Sequence, residues 1–287
     1  MKSIGVIVNE DKPGTVDLLP HLFRKSRELG LKLLVEKPFI PEFAGSSCVS
    51  EEALFAESEA ILTLGGDGTL LSAVRRMRDR PLPLLGVNFG KLGFLTSVTQ
   101  DGVDSALTAL AEGHLISSMR PLLDCWYQNP TEPEGHARGL NDVVLSWGKS
   151  SHIANLEVSV CGEKLTTYTC DGLIVSTPTG STGHSLSAGG PILSPDNRNL
   201  VLSPICPHSM TVRPVVLSEE AEVSITLAPH SKNLVLACDG QPLGELVPGA
   251  TVTARLSSLQ IELLQLPDYN YWEVLRRKLH WRGSNVE

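Results

Sequence analysis

The chain has 287 residues, of which 41% are hydrophobic and 20% charged, the composition of a globular protein of about two domains at ~150 residues each. A net charge of −8 excludes a general binder of the nucleic-acid backbone, which needs basic stripes. Six cysteines (Cys48, Cys125, Cys161, Cys170, Cys206 and Cys238) include no C-x-x-C pair, so neither a zinc site nor a disulfide framework is expected. The N-terminus runs straight into a strand-like segment, and no stretch approaches the ~18 apolar residues of a membrane span. A soluble, cytoplasmic protein with reduced thiols and no membrane partner is the expectation.

In chain order, Ile4–Val8 is a β-branched strand run. Val16–Leu29 has apolar residues at helical spacing and is stopped by Gly30. Leu31–Val35 reads as a second strand, Glu51–Ser58 as a short helix and Ala60–Leu64 as a buried strand. A helix over Thr69–Met77 precedes Pro81 and Pro83, and Leu84–Val87 is a fourth strand. Repeated β-α units with continuous apolar strands predict a doubly wound parallel sheet covered by helices. A helix over Val103–Glu112 closes this part.

Beyond Ser118 the pattern turns to alternation with period two, as in Leu156/Val158/Val160, Val223/Ile225/Leu227 and Val252/Ala254/Leu256. Asp268–Leu279 is a closing helix, with Asp268 as its cap and Trp272, Leu275 and Leu279 on one face. The fold class expected is α/β plus all-β. An N-terminal doubly wound parallel-sheet domain over residues 1–99 is completed by the C-terminal helix 267–287. Residues 100–266 form a mainly β, sandwich-like domain.

Chemistry concentrates first in Gly65-Gly66-Asp67-Gly68-Thr69, between a buried strand and a helix, where doubly wound sheets present ligand sites. The glycines let backbone approach a phosphate, and the helix N-terminus offers amide donors. An aspartate there repels phosphate, so its use is as a general base or as a partner for a hydroxyl or a metal. The competing reading makes Asp67 the cap of a helix starting near Thr69. A cap does not account for three flanking glycines, each with its entropic cost.

Gly65–Thr69 resembles the signature shared by NAD kinases and diacylglycerol- or sphingosine-type lipid kinases, with a looser likeness in phosphofructokinases. Downstream segments resemble NAD kinases alone. Asn88-Phe89-Gly90-Lys91-Leu92-Gly93-Phe94-Leu95 is similar to a family segment. Asn141-Asp142-Val143-Val144-Leu145 resembles the family's Asn-Glu motif, with Asp for Glu. Asp171-Gly172-Leu173-Ile174-Val175-Ser176-Thr177-Pro178-Thr179-Gly180-Ser181-Thr182 is nearly letter for letter the long family motif, continued by Ser185–Ile192. Pro204–His208, Arg213–Val216 and Asp239-Gly240-Gln241 complete the ordered series.

The resemblance implies an ATP-dependent NAD kinase that phosphorylates the adenosine-ribose 2′-hydroxyl. Asp67 is then the proton acceptor, with Gly68 beside it. Asn141 and Asp142 contact the adenosine, although the pair also suits a turn before a strand. Asp171 and Gln241 are further dinucleotide contacts; Asp171-Gly172 and Asp239-Gly240 both have turn character. Thr182, Gly183, His184, Ser185, Leu186 and Ser187 match the segment that packs against the nucleotide. Here Gly183-His184 replaces the family's Ala-Tyr, exchanging a stacking phenol for a smaller titratable ring that suits a surface or core position equally. His152 occupies the place of a frequent basic contact, and Thr169 stands where NAD-specific members often carry arginine, which points to tolerance of NADH.

No G-x-x-x-x-G-K-[ST] loop and no protein-kinase motif set is present. The expected cofactor is a divalent cation, Mg²⁺, delivered with ATP, since no carboxylate cage for a metal is visible in the sequence. Family resemblance also implies a homo-oligomer, dimer or tetramer. The rival readings are a lipid kinase with the same loop, disfavoured by the lack of a basic amphipathic helix, and a catalytically idle nucleotide sensor, disfavoured by Asp67.

Overall fold

The computed structural model of the chain describes residues 1–43, 47–90, 93–148 and 153–281. The chain divides into two units, one of Met1–Met119 together with the chain from Ile261 onward, the other of Arg120–Gln260. The first unit opens with β1 (Ser3–Val8), α1 (Leu19–Glu28), β2 (Lys32–Leu34) and α2 (Glu51–Glu57). It continues with β3 (Ala60–Gly65), α3 (Asp67–Met77), β4 (Leu84–Asn88), β5 (Val98–Thr99) and α4 (Val103–Glu112). The strands pair in parallel in the order β2-β1-β3-β4, with β5 beside β4.

Every residue of β3 and β4 is buried, as strands of a sheet covered on both faces must be. Ile4, Val6, Leu62, Leu64 and Val87 share one core with Leu19 and Leu22 of α1 and with Leu107 and Leu110 of α4. Alternate positions face the other way, so that Gly5 lies against Leu54 of α2 and Gly86 against Leu70 of α3. This is the doubly wound arrangement that the β-α repeats predict. Helix α1 begins at Leu19 rather than at Val16, because Pro20 lacks an N–H and fits only the first helical turn.

The second unit is built on antiparallel pairings, among them β9 with β10 and β14 and β8 with β11 and β15. It takes in β6 (Ile116–Gln128) from Arg120, β7 (Gly135–Gly139), β8 (Asp142–Ser146), β9 (Ala154–Val160), β10 (Glu163–Cys170) and β11 (Gly172–Ser176). A short helix, α5 (His184–Ser187), precedes β12 (Leu200–Ile205), β13 (Val215–Leu217), β14 (Glu222–Leu227), β15 (Leu234–Cys238), β16 (Gln241–Leu246) and β17 (Thr251–Gln265). One sheet runs β10-β9-β14-β17 and the other β13-β12-β11-β8-β15-β16. Leu156, Val158, Val223, Ile225, Val252 and Ala254 from the first meet Val143, Leu145, Leu173, Val175, Leu202 and Leu236 from the second in one core. The period-two runs thus supply the inner faces of a β-sandwich.

Strand β17 pairs with β14 through its first residues and, at Leu263, in parallel with Leu84 of β4. It leads to α6 (Tyr271–Lys278). The cap is Asn270, whose side chain accepts the N–H groups of Trp272 and Glu273, and not Asp268. Trp272 is 55% exposed, and the buried face is Val274 and Leu275, because the helix starts later than its apolar spacing suggested. Among the described residues no helix is long and apolar enough to cross a membrane.

Candidate active site

In the first unit the site is built on Asp67. Helix α3 starts at Asp67, two residues before the expected Thr69, and Gly66 is its extended N-cap residue. Thr69 Oγ1 accepts the Gly66 N–H at 3.4 Å, so the helix start is served without Asp67. The Asp67 carboxylate reaches instead to the segment after β4. Its Oδ2 accepts the Phe94 N–H at 2.8 Å. Its Oδ1 accepts the Leu95 N–H at 3.3 Å, the Thr96 N–H at 3.1 Å and the Thr96 hydroxyl at 3.0 Å. The capping alternative therefore gives way to a carboxylate held in a cluster of donors.

The donors are themselves fixed. Buried Asn88 Nδ2 donates to Thr96 Oγ1 at 2.8 Å, and the Gly93 N–H donates to the same oxygen at 3.3 Å. A side chain on Gly93 would overlap the Asp67 carboxylate, which explains a glycine at that point. A carboxylate has about four lone-pair sites. Among the described residues three bonds occupy Oδ1 and one occupies Oδ2, so the acceptor position they leave lies on Oδ2. Asp67 is half-buried and Gly68 exposed.

In the second unit two distant sequence segments converge on Leu140–Asp142. The Asp239 carboxylate accepts the backbone N–H of Leu140 through Oδ2 at 2.7 Å. Through Oδ1 it accepts those of Asn141 and Asp142 at 2.7 and 3.1 Å. From β11, Thr177 Oγ1 donates to the Leu140 carbonyl at 2.6 Å, and the Thr177 N–H donates to the Asn141 carbonyl at 2.9 Å. The bend that follows is held by Ser181 Oγ, which donates to the Pro178 carbonyl and accepts the Leu193 N–H. Two buried polar atoms here lack any protein partner, Asn141 Oδ1 and Thr179 Oγ1. Buried polar groups are normally paired, which sets these two atoms apart from their neighbours.

Asp142 is 6% exposed. Burial, and then the neighbouring Asp239 charge, push its carboxyl up to about 7. Among the remaining expected contacts, Thr182 is half-buried, Gly183 and His184 are exposed at the head of α5, and Leu186 and Ser187 follow with partial and full exposure. Ser185 is fully buried and its hydroxyl pairs with Ser203 at 2.9 Å. Gln241 is exposed and begins β16, directly after the Asp239-Gly240 turn.

Asp171 stands apart from this group. It precedes β11 at the end where Gly172 pairs with Ser146 and Ile205, whereas Asn141 adjoins the opposite end, where Ser176 pairs with Asp142. At ~3.3 Å per residue the two ends of β11 lie roughly 15 Å apart. Thr169 is exposed and its hydroxyl donates to Asn155 Oδ1 at 2.8 Å. His152 lies outside the described residues. Sequence reasoning missed Asn88 and Thr96 as supports of Asp67, and it placed Asp239 in the last family motif and in a turn without assigning its carboxylate a role. The signal for the first two was their position flanking Gly93-Phe94-Leu95; for Asp239 there was none beyond its Gly-Gln neighbours.

A family model described as the ATP-NAD kinase N-terminal domain matches residues 4–115, and one described as the ATP-NAD kinase C-terminal domain matches residues 140–266. The NAD kinases of Geotalea daltonii and Geobacter metallireducens are 39% and 40% identical to the chain, each over 98% of it and 99% of the relative. The chain belongs to the NAD kinase family. Solved structures of the same fold include a yeast NADH kinase complexed with NADH, with a TM-score of 0.91 at 24% identity over 100% of this chain and 89% of that one. An NAD kinase from Archaeoglobus fulgidus in complex with ATP has a TM-score of 0.76 at 23% identity, over 99% and 100% of the two chains. Membership settles the choice between NAD and lipid kinases that the Gly65–Thr69 loop left open.

Proposed function

We propose that the chain transfers the terminal phosphoryl group of ATP to the adenosine-ribose 2′-hydroxyl of NAD, giving NADP and ADP, with Asp67 as general base. The observation that carries this reading is the Asp67 carboxylate, held by donors from Phe94 to Thr96 that leave, among the described residues, one acceptor position on Oδ2. In the step, the ribose oxygen forms a bond to the terminal phosphorus as the bond from phosphorus to the departing ADP oxygen breaks. The hydroxyl proton passes to Asp67 Oδ2 and later to solvent. The fixed donors keep the carboxylate from rotating, so the base meets the hydroxyl in one orientation.

Asn141 and Asp142 hold the adenosine moiety in this reading. The bare Asn141 Oδ1 is an acceptor of the kind an exocyclic amine or a ribose hydroxyl satisfies. Thr182 to Ser187 pack against the nucleotide through exposed Gly183 and His184, while Ser185 braces the bend from below. Gln241 contacts the dinucleotide from the start of β16, and Asp171 serves a more distant part of it. Gly68 leaves room beside the base.

Phosphoryl transfer draws on a divalent cation, Mg²⁺ with ATP, to spread charge over the donor phosphates. Among the described residues no group of three or more His, Cys, Asp or Glu side chains could hold a metal ion. In this reading the cation's ligands are the nucleotide's own phosphate oxygens and water. The deciding experiment incubates the protein with ATP, Mg²⁺ and either NAD or NADH, beside diacylglycerol and sphingosine. NADP or NADPH is expected and neither lipid is modified; a phosphorylated lipid with no 2′-phosphorylated dinucleotide would overturn the reading.

A further inference from the structure

Asp239 and Gly240 form the two-residue connection between β15 and β16, with φ of +48° and +73°. Two positive values mark the hairpin turn in which Asn-Gly is the favoured pair, so turn chemistry alone would be served as well by asparagine. What asparagine does not supply is a pair of acceptor oxygens with a negative charge. The three N–H groups converging on Asp239 belong to consecutive residues, a concave donor arrangement that selects an anion. The Asp239 N–H also donates to the Asp142 carbonyl at 2.9 Å, so the turn and the start of β8 grip each other in both directions.

We propose that Asp239 is a positioning residue for the dinucleotide: by gathering the Leu140, Asn141 and Asp142 N–H groups it fixes the direction in which the Asn141 and Asp142 side chains leave the backbone. The proposal rests on the reading of those two residues as nucleotide contacts. The structure supports such a role in three ways. Asn141 Oδ1 is buried and unpartnered, so no side-chain bond holds it and its aim depends on the backbone. Gly139 approaches so closely that an added Cβ would stand 2.8 Å from Asp239 Oδ1 and 2.6 Å from Cys238 Sγ, a space kept clear for the carboxylate. Asp142, in turn, accepts the Asp239 N–H on its carbonyl and lies opposite Ser176 of β11, and the charge acting on it is that of Asp239.

The test compares Asp239→Asn, Gly139→Ala, Asn141→Ala and Asp142→Asn in steady-state assays against NAD and ATP from pH 5.5 to 8.5, with thermal unfolding as the folding control. Asp239→Asn keeps the turn but presents an NH₂ group to three N–H donors. It should raise KM for NAD about tenfold or more, the scale of a lost charge-assisted hydrogen-bond arrangement, with KM for ATP unchanged within about twofold. Gly139→Ala keeps the charge, displaces the carboxylate and should give the same split. The pH at which KM for NAD changes should move down in Asp239→Asn and vanish in Asp142→Asn. Wild-type KM and pH profile in Asp239→Asn and Gly139→Ala, with raised KM in Asn141→Ala and Asp142→Asn, would overturn the proposal and leave the nucleotide reading standing. Unchanged KM for NAD in all four would overturn both.

Discussion

Asp67, the first residue of α3, accepts the backbone N–H of Phe94 on Oδ2 at 2.8 Å, twenty-seven residues along the chain. The contact turns a helix-terminal aspartate away from its own helix and toward the loop after β4. Together with Leu95 and Thr96 it makes the carboxylate part of a fixed framework before any substrate arrives. Asp67→Asn keeps the shape and removes the base. Turnover should fall roughly 10²–10⁴-fold, the usual worth of a general base, while affinity for NAD changes less than about tenfold. Single-turnover rates and calorimetric NAD binding measure the two separately. Near-normal turnover would reduce Asp67 to a structural tie.

Thr96 tests the framework itself. Its hydroxyl donates to Asp67 Oδ1 and accepts from Asn88 Nδ2, and the residue is fully buried. Thr96→Val leaves the Asn88 amide without this acceptor, a loss of about 1–3 kcal/mol for a buried polar group. Urea unfolding should show that loss, and kcat should fall while KM for NAD holds. Thr96→Ser, which restores the hydroxyl, should recover both. A valine variant with full kcat would show that Asp67 is held well enough by backbone donors alone.

Much of this architecture was legible in the sequence because local and global preferences agree. Ala60–Leu64 is apolar at every position and is buried at every position, as an inner parallel strand has to be. Val223, Ile225 and Leu227 alternate with exposed or half-buried neighbours and line the sandwich core. The ends of helices were less legible. Helix α3 was expected to start at Thr69, with capping as the competing role for Asp67; the helix starts at Asp67 itself, and a tertiary contact to Phe94 takes the side chain elsewhere. Asp239 shows the same limit more sharply. Its Asp-Gly pair announces a hairpin turn, which is present, but the three N–H groups that its carboxylate collects come from about a hundred residues earlier in the chain, beyond any local signal.

His184 is exposed at the head of α5. Imidazole offers a smaller stacking face than a phenol ring, and base stacking on an aromatic side chain is worth ~1–3 kcal/mol by truncation. His184→Tyr should lower KM for NAD about threefold to tenfold, and His184→Ala should raise it. KM for ATP serves as the control. If both variants bind NAD as the wild type does, the ring does not pack on the base and the stacking role fails at this position.

Asp142 makes a stability prediction that needs no substrate. Its carboxyl ionises near 3.8 when free and at about 7 in the folded chain, raised first by burial and then by Asp239. Below about pH 4 the side chain is neutral whether the chain is folded or not, and it imposes no penalty. Between about pH 4 and 7 the unfolded chain releases this proton while the folded chain keeps it, so stability is lost as pH rises. Above about pH 7 the carboxyl is ionised in both states and the penalty stays constant. Asp142→Asn is neutral throughout and escapes it. The difference in unfolding free energy between variant and wild type should therefore grow from near zero at pH 4 to on the order of 2–4 kcal/mol at pH 8, at 1.36 kcal/mol for each unit of displacement. Urea denaturation of both proteins across that range measures it. A difference that is flat with pH would mean that Asp142 titrates as it does in water, and that the Asp239 charge beside it is screened.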